Sequence, residues 1–496
     1  MATLVVQRWL KSPLQTAIPM AVPRIHLLSN EETEHIHSMS LDILGRVGIH
    51  YGSRRALEIL EGAGCQIDWE ELSAKIPPQV VEKALETLPS QILLAARNPA
   101  QDIHVREGML FYTSAGQSPW FRDLDSRVRR AATSDDLIQC TCLIDALDEV
   151  EEYTPLVLPQ DVPPVMRVLC SLEIVLQHTT KHFLGGTIGE DVLPFAKEMI
   201  EAVLGDIGRL SERPIFSIVH EPISPLRNVG EMVDLTLDWA PYKIPISMGG
   251  MPLAGATAPV TLAGAVLQTN AELLGNMVLF QIAQPCWPII WNASAATLDM
   301  RSGRAAIGPE AALMSVALIE MAKFYGVPCA SMDICAADAK DIGFQSGLET
   351  IFMGLVTALA GVNNLWGPAD MDGYTMVDLA HVMLSIEAIR QIDRLRKGMV
   401  IDDEHLLLDT IKEMRFKGEY LGHPSTKKYF REEYLLPDIF PRESYESWQT
   451  RGQTEEQLAI ERVKDILNTH EPEPLPEDVC KELERIMAAA EKVLVD

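Results

Sequence analysis

IPISMGGMPLAGATAPVTLAGAVLQTNAELLGNMVLFQIAQPCWPIIWNASAATL, residues 244–298, holds a single charged side chain, Glu272. The charge-free windows on either side, 244–271 and 273–298, are each long enough to cross a bilayer, for which about 20 apolar residues suffice. Both are interrupted by Pro245, Pro252, Pro259, Pro285 and Pro288, by glycine clusters, and by Gln, Asn, Thr and Ser side chains. An apolar stretch broken in this way reads as strands and helices buried on both faces, as a parallel α/β sheet requires. No membrane span is expected.

Outward from this stretch, short apolar or β-branched runs recur between helix-length segments: 109–112, 150–157, 181–185, 214–219, 244–248, 288–291, 328–332 and 362–366. Eight strands, most of them followed by a helix, predict a (β/α)8 TIM barrel, an α/β fold; a doubly wound open sheet is the competitor. Residues 28–100 read as helices. Ser29-Asn-Glu-Glu32 marks a helix start, and Ile36, Met39, Ile43, Leu44 and Val47 form a stripe at helical spacing. After residue 376 the pattern is charged and helical, with the stiff linker His470-Glu-Pro-Glu-Pro-Leu-Pro476 before a last amphipathic helix. The expected organisation is an N-terminal helical region over residues 1–108, a barrel domain over 109–400, and a C-terminal helical extension packed on it over 401–496.

With 42 basic against 70 acidic residues, a formal charge of −28, the chain is unsuited to nucleic acid or an anionic membrane and hospitable to small cations. Its eight cysteines form no disulfide framework, which suits a reducing compartment, and the cytoplasm is expected. The first residues lack the pattern of a signal peptide. Cys140 and Cys142 are the closest pair, but they fall in a helical stretch that splays them apart, so no metal site is expected.

A barrel gathers its chemistry at the C-terminal ends of its strands. Strand four leads into His220-Glu221, and then to Ser224 as the cap of a helix with Pro225 at its first position. Strand five leads into a glycine-rich stretch, where Thr257 precedes a helix start at Pro259 that would offer free N–H groups to an anion. Strand six leads to Asn292, and strand seven to Asp333 and the charged stretch Asp338-Ala-Lys-Asp341.

Several pieces resemble, in order and spacing, the trimethylamine methyltransferase family: Arg129-Arg-Ala-Ala-Thr-Ser-Asp135, Ser224-Pro-Leu226, Gly255-Ala-Thr-Ala-Pro-Val-Thr-Leu-Ala-Gly264, Gln268-Thr-Asn-Ala-Glu272, Asp299-Met-Arg-Ser-Gly303, Gly308-Pro-Glu310, Asp338-Ala-Lys340 with Gln345 and Glu349, and Gly418-Glu-Tyr-Leu-Gly-His-Pro-Ser-Thr426. The resemblance implies a TIM barrel that passes a methyl group from an amine to the Co(I) corrinoid of a separate protein, with no cofactor tightly bound. Founding members carry pyrrolysine near the end of the seventh strand, whereas Asp338 to Gln345 runs here through ordinary residues. That departure points to the pyrrolysine-free branch, whose substrates include betaines such as glycine betaine. The chemistry agrees, because a neutral tertiary amine would have to leave as an amide anion, whereas a quaternary ammonium leaves as a neutral amine.

A quaternary ammonium has no N–H to donate, so aromatic faces and carboxylates should recognise it. The candidates are Tyr112, Trp291 and Trp366 at strand ends, Phe121 after strand one, and Glu221, Asp333 and Asp338 for the negative field, with His220, Thr257 and Gln345 nearby. Each aromatic could equally pack the barrel, each acid could be a cap or an ion-pair partner, and His178, His182 and His220 could all be structural. The other readings are a barrel methyltransferase using a sulfonium or methylated pterin, and a non-catalytic betaine-binding protein. A homo-oligomer is expected.

Overall fold

Eight short strands lie side by side: Phe111–Thr113 (β1), Glu152–Tyr153 (β2), His182–Gly185 (β3), Phe216–His220 (β4), Ile246–Met248 (β5), Ile289–Asn292 (β6), Cys329–Ser331 (β7) and Asn364–Trp366 (β8). All pair in parallel, in chain order, and β8 returns to β1 to close a barrel. Each overlaps a run expected from the sequence. The fold comes from a computed structural model that describes residues 20–185, 189–332, 337–416 and 418–495. A helix follows each strand: Ser134–Asp145 (α1), Arg167–His178 (α2), Leu193–Leu204 (α3), Gly230–Leu237 (α4), Leu262–Ala283 (α5), Pro309–Tyr325 (α6), Phe344–Ala360 (α7) and Leu379–Arg396 (α8). Among the described residues no helix is long and apolar enough to cross a membrane.

The stretch 244–298, with Glu272 as its one charge, folds into β5, α5 and β6. Of the 22 residues of α5, 15 are buried. The helix Asn30–Arg46 covers the side of α5 that faces away from the barrel; Asn270 Nδ2 donates to Ser40 Oγ (2.8 Å) and Tyr51 OH to Gly275 O (2.7 Å). A Cβ on Gly275 would stand 2.2 Å from Ile49 Cδ1, so the glycine permits this close approach.

The N-terminal region departs from the helical expectation in two ways. Antiparallel strands Ile49–His50, Gln66–Asp68 and Ser73–Lys75 lie among its helices, too short for any periodicity to betray them. Helix 30–46 does start at a capping box between Ser29 and Glu32, but its buried face is Thr33, Ser40 and Leu44, whereas Met39 and Val47 are exposed. The two helix starts expected after strands four and five also fall later. Ser224 donates to Glu272 Oε2 (2.7 Å) in a loop that runs on to Gly230, and α5 begins after Thr261.

The N-terminal end of the barrel is stoppered by the hairpin Ile92–Leu94 and Ile103–Val105. Its apolar side chains join Phe111, Leu184, Ile290 and Ala330 inside the barrel, and Ala95 N donates to Pro214 O at the start of β4 (3.0 Å). At the outer wall, helix Glu455–Thr469 packs on α8 and α1, and Glu477–Leu494 packs on α3. The linker between them is pinned by His470 Nε2 on Asp145 Oδ2 (2.8 Å).

Candidate active site

Side chains alternate along each strand between the barrel interior and the surrounding helices. The interior set is fixed by its contacts: Thr113 and Asn364 Nδ2 (3.0 Å) both donate to Glu152 Oε2, and His182 bridges Ala95 O (2.8 Å) and Ser217 Oγ (2.7 Å). Burial pushes Glu152 up to about 7 despite its two donors, and holds His182 neutral, down to about 4. One layer higher, the same parity brings Val219 and Glu221 inward from β4 and its end, and Trp366 inward from β8, where it joins the cluster of Phe111, Ala115 and Leu184.

In a filled barrel interior Val219 would be fully buried. It is half-buried, and Glu221 beyond it is exposed, so the C-terminal mouth is open to solvent. The Glu221 carboxyl makes no hydrogen bond or ion pair among the described residues. Solvent reaches it, yet protein rings it closely enough that loss of bulk water raises its pKa above the usual carboxylate range. Strands β4 and β8 lie four places apart in a ring of eight, so Glu221 and Trp366 occupy opposite walls. The rim between β6 and β8 is tied by Ser294, which donates to Asn292 Oδ1 (2.8 Å) and accepts from Met332 N (3.0 Å), and by Tyr374 OH on Met332 O (3.2 Å).

Two small sheets flank this mouth. One joins the loops after β1 and β8 in the order Asp370–Met371, Met376–Val377, Trp120–Arg122, Arg129–Ala131; the other joins Leu253–Ala254, Ala296–Leu298 and Ala305–Ala306. The charged stretch after β7 packs Ala337, Ala339 and Ile342 on Met371 and Met376 of the first sheet. Its charges are struts: Asp341 binds Arg122 (2.6 Å) and Lys340 binds Asp372 (3.4 Å). Asp372 also receives Arg304 (2.9 Å) and Arg129 (3.7 Å), which leaves the rim beside Tyr374 with three cations on one carboxylate.

Most of the residues expected at the site lie elsewhere. Tyr112 points out between β1 and α8, with its OH on Asp393 (2.8 Å), and Trp291 points out to stack on Tyr325 (centroids 5.4 Å apart). His220 points out to Thr236 Oγ1 (2.9 Å) and Asn228 (3.2 Å), edge-on to Phe280. Phe121 is buried in the first mouth sheet under Arg130. Thr257 braces its own loop by accepting from Leu253 N (2.9 Å), and Gln345 bonds Glu349 on the exposed first turn of α7. Asp338 sits between the sheets, accepting weakly from Ile307 N (3.5 Å), and Asp333 lies outside the described residues. Of the expected set, Glu221 and Trp366 face the barrel interior, from opposite walls. Sequence reasoning missed Tyr374 and Arg304 on the rim, the buried network around Glu152, and Asp370, whose carboxyl burial pushes up to about 7 beside Ser118 Oγ (2.7 Å). The Asp-Gly of Asp372-Gly-Tyr-Thr375 was the available signal for the turn that carries Tyr374 to the mouth.

A closed barrel stoppered below and open at its C-terminal mouth is the architecture of TIM-barrel enzymes. Solved structures agree at the level of fold. The chain matches the "Crystal structure of the hydroxylamine MtmB complex" at a TM-score of 0.54 with 11% identity, covering 100% of this chain and 92% of that one. The family described as Trimethylamine methyltransferase (MTTB) matches residues 7–493, and the chain belongs to that family and is a methyltransferase. Its relatives include a protein named trimethylamine methyltransferase MttB from Desulfitobacterium hafniense (strain DSM 10664 / DCB-2), 30% identical, covering 93% of each chain. A glycine betaine methyltransferase from D. hafniense (strain Y51) is 26% identical, covering 94% of this chain and 97% of its own.

Proposed function

We propose that this enzyme takes a methyl group from a quaternary amine of the betaine class and delivers it to a corrinoid carried by a separate protein. The observation that carries the reading is Glu221, a carboxylate with no partner among the described residues, inside an open mouth and opposite an indole. An ammonium without N–H groups needs such a diffuse negative field and an aromatic face rather than hydrogen-bond acceptors. The corrinoid of the partner supplies the Co(I) nucleophile, and the open mouth suits a donor presented from outside the chain. The rest is positioning: Glu221 draws the cation in, Trp366 shapes the wall, and the C–N electron pair stays on a nitrogen that leaves neutral and needs no proton. The rim cations Arg304, Lys340 and Arg129 outnumber the acids Asp372 and Asp338 beside them by one and would receive the carboxylate that distinguishes a betaine from a simple ammonium.

The test is cobalt methylation followed by absorbance, with purified protein, a Co(I) corrinoid protein and a panel of amines. Glycine betaine or a related betaine should react and trimethylamine should not; trimethylamine reacting as fast as the best betaine would sink the reading. Glu221→Gln should raise KM about tenfold for every quaternary amine, since a charge pair about 4 Å apart near a protein surface is worth on the order of 1–4 kcal/mol. Arg304→Gln should raise it only for those bearing a carboxylate. The reading includes the cytoplasmic location drawn from cysteine usage, and also self-association through α7. That helix buries Ser346, Thr350, Gly354 and Thr357 along with Met353 and Ala358, while it leaves Phe344, Leu348 and Phe352 87%, 52% and 39% exposed. Its only charge is Glu349, so two copies of a chain of charge −28 can meet there without opposing like charges.

A further inference from the structure

At the far end of the barrel from the mouth, a cleft of about 520 Å³ opens between residues 22–26 and the C-terminal ends of α6 and α7. Its charge is inverted relative to the chain. Arg24, Arg106, Lys323 and Arg396 line it against one acid, Glu107, whereas the whole chain carries 42 basic and 70 acidic residues. Arg24 and Arg106 are exposed and have no ion-pair or hydrogen-bond partner for their side chains among the described residues. Lys323 is lodged on Ala360 O, where it satisfies the carbonyl end of α7 and offsets the dipole that would repel an anion. Its pKa is lowered by burial, against the pull of nearby acids, and the charge of Arg24 pushes the same way, so these two cations stand close enough to repel. Arg396 reaches Asp393 at 3.5 Å and keeps guanidinium donors for a second partner. Pro23, Val327 and Leu359 give the cleft apolar walls.

We infer that this cleft binds a phosphate-bearing metabolite of nucleotide size. Its volume falls in the range of small-molecule sites. Guanidinium forks match phosphate oxygens two at a time, and two such groups with no partner among the described residues are free to take an anion from outside the chain. No step of methyl transfer uses this end of the barrel, so the inference is independent of the substrate assigned to the mouth.

Isothermal titration of the full chain at low ionic strength with inorganic pyrophosphate, ATP, citrate and adenosine tests it. Pyrophosphate and ATP should bind, adenosine should not, and the double variant Arg24→Gln/Arg106→Gln should weaken both by at least about tenfold, the loss expected from removing charge-assisted hydrogen bonds. Both arginines are exposed, so the double variant should melt at the wild-type temperature when no ligand is present; circular dichroism checks this. Binding of citrate with no binding of pyrophosphate or ATP would replace phosphate by carboxylate chemistry and overturn the proposal. So would absence of all binding, binding of adenosine as tight as that of ATP, or an effect of the double variant smaller than tenfold.

Discussion

At the scale of single residues, the carboxylates Glu152 and Glu221 hold charge in opposite ways, and each predicts a pH dependence. Glu152 is sealed inside the barrel, with a folded pKa of about 7 against 4.5 for the free side chain. A raised pKa means the folded state keeps its proton, so this stability is present below pH 4.5 and is lost as pH rises through 7. The loss is roughly 3 kcal/mol, the shift multiplied by 1.36 kcal/mol per unit. Thermal melting of the wild type should therefore fall as pH rises from about 4.5 to about 7 and level off above that. Glu152→Gln, which keeps an acceptor for Thr113 and Asn364, should flatten that fall; an equally steep fall in the variant would count against it. Glu221 is raised too, but it must be ionised to attract a cation. KM for a quaternary amine should rise as pH drops through its pKa, and in Glu221→Gln that rise should vanish. Residue identity at strand ends was legible in the sequence, but direction was not. In a parallel barrel both faces of a strand are buried, so Tyr112, Trp291 and His220 carry no mark that separates them from Trp366 and Glu221. Only the register of the folded strand assigns parity.

The elements themselves were legible because each strand is an apolar run bracketed by helix-length segments, and eight such runs admit few arrangements. The loops were not, since their two- and three-residue strands pair with partners far along the chain. The loop after β1 shows what holds them. Gly116 lies against the loop after β2, where a Cβ would stand 2.0 Å from Pro155 O, while Gln117 N (2.7 Å) and Ser118 N (3.0 Å) donate to Pro155 O and Leu156 O. Backbone cannot step aside as a side chain can. Gly116→Ala should therefore cost about 1–3 kcal/mol in urea unfolding and disturb the mouth sheet that follows; wild-type stability would show the loop to be freer than its contacts imply. Helix α7 makes the complementary prediction, because Leu348→Asp with Phe352→Asp changes side chains outside its buried face. Light scattering after size exclusion should show the wild type as an oligomer and the double variant as a monomer with an unchanged melting temperature. A monomeric wild type, or an unaffected oligomer, would remove α7 as the interface.

Over the whole molecule, a charge of −28 surrounds a mouth whose inner wall is also acidic at Glu221, while the cations gather at Asp372 on the rim and in the cleft at the opposite end. The field of such a body reaches about 30 Å at 0.01 M salt and about 8 Å at 0.15 M. A monocation such as tetramethylammonium is attracted by all of that charge, whereas a betaine, with no net charge, responds only to groups near enough to resolve its two ends. Salt therefore separates the field of the molecule from the chemistry of the site. Between these ionic strengths, the inhibition constant of tetramethylammonium against betaine turnover should weaken several-fold, and KM for the betaine should change much less. The two quantities come from the same assay with the same corrinoid protein, so salt effects on partner docking cancel in their ratio. Equal slopes would mean that the outer charge does not reach the mouth and that Glu221 acts alone. A steeper slope for the betaine would mean that its carboxylate, held by Arg304 and its neighbours, dominates recognition.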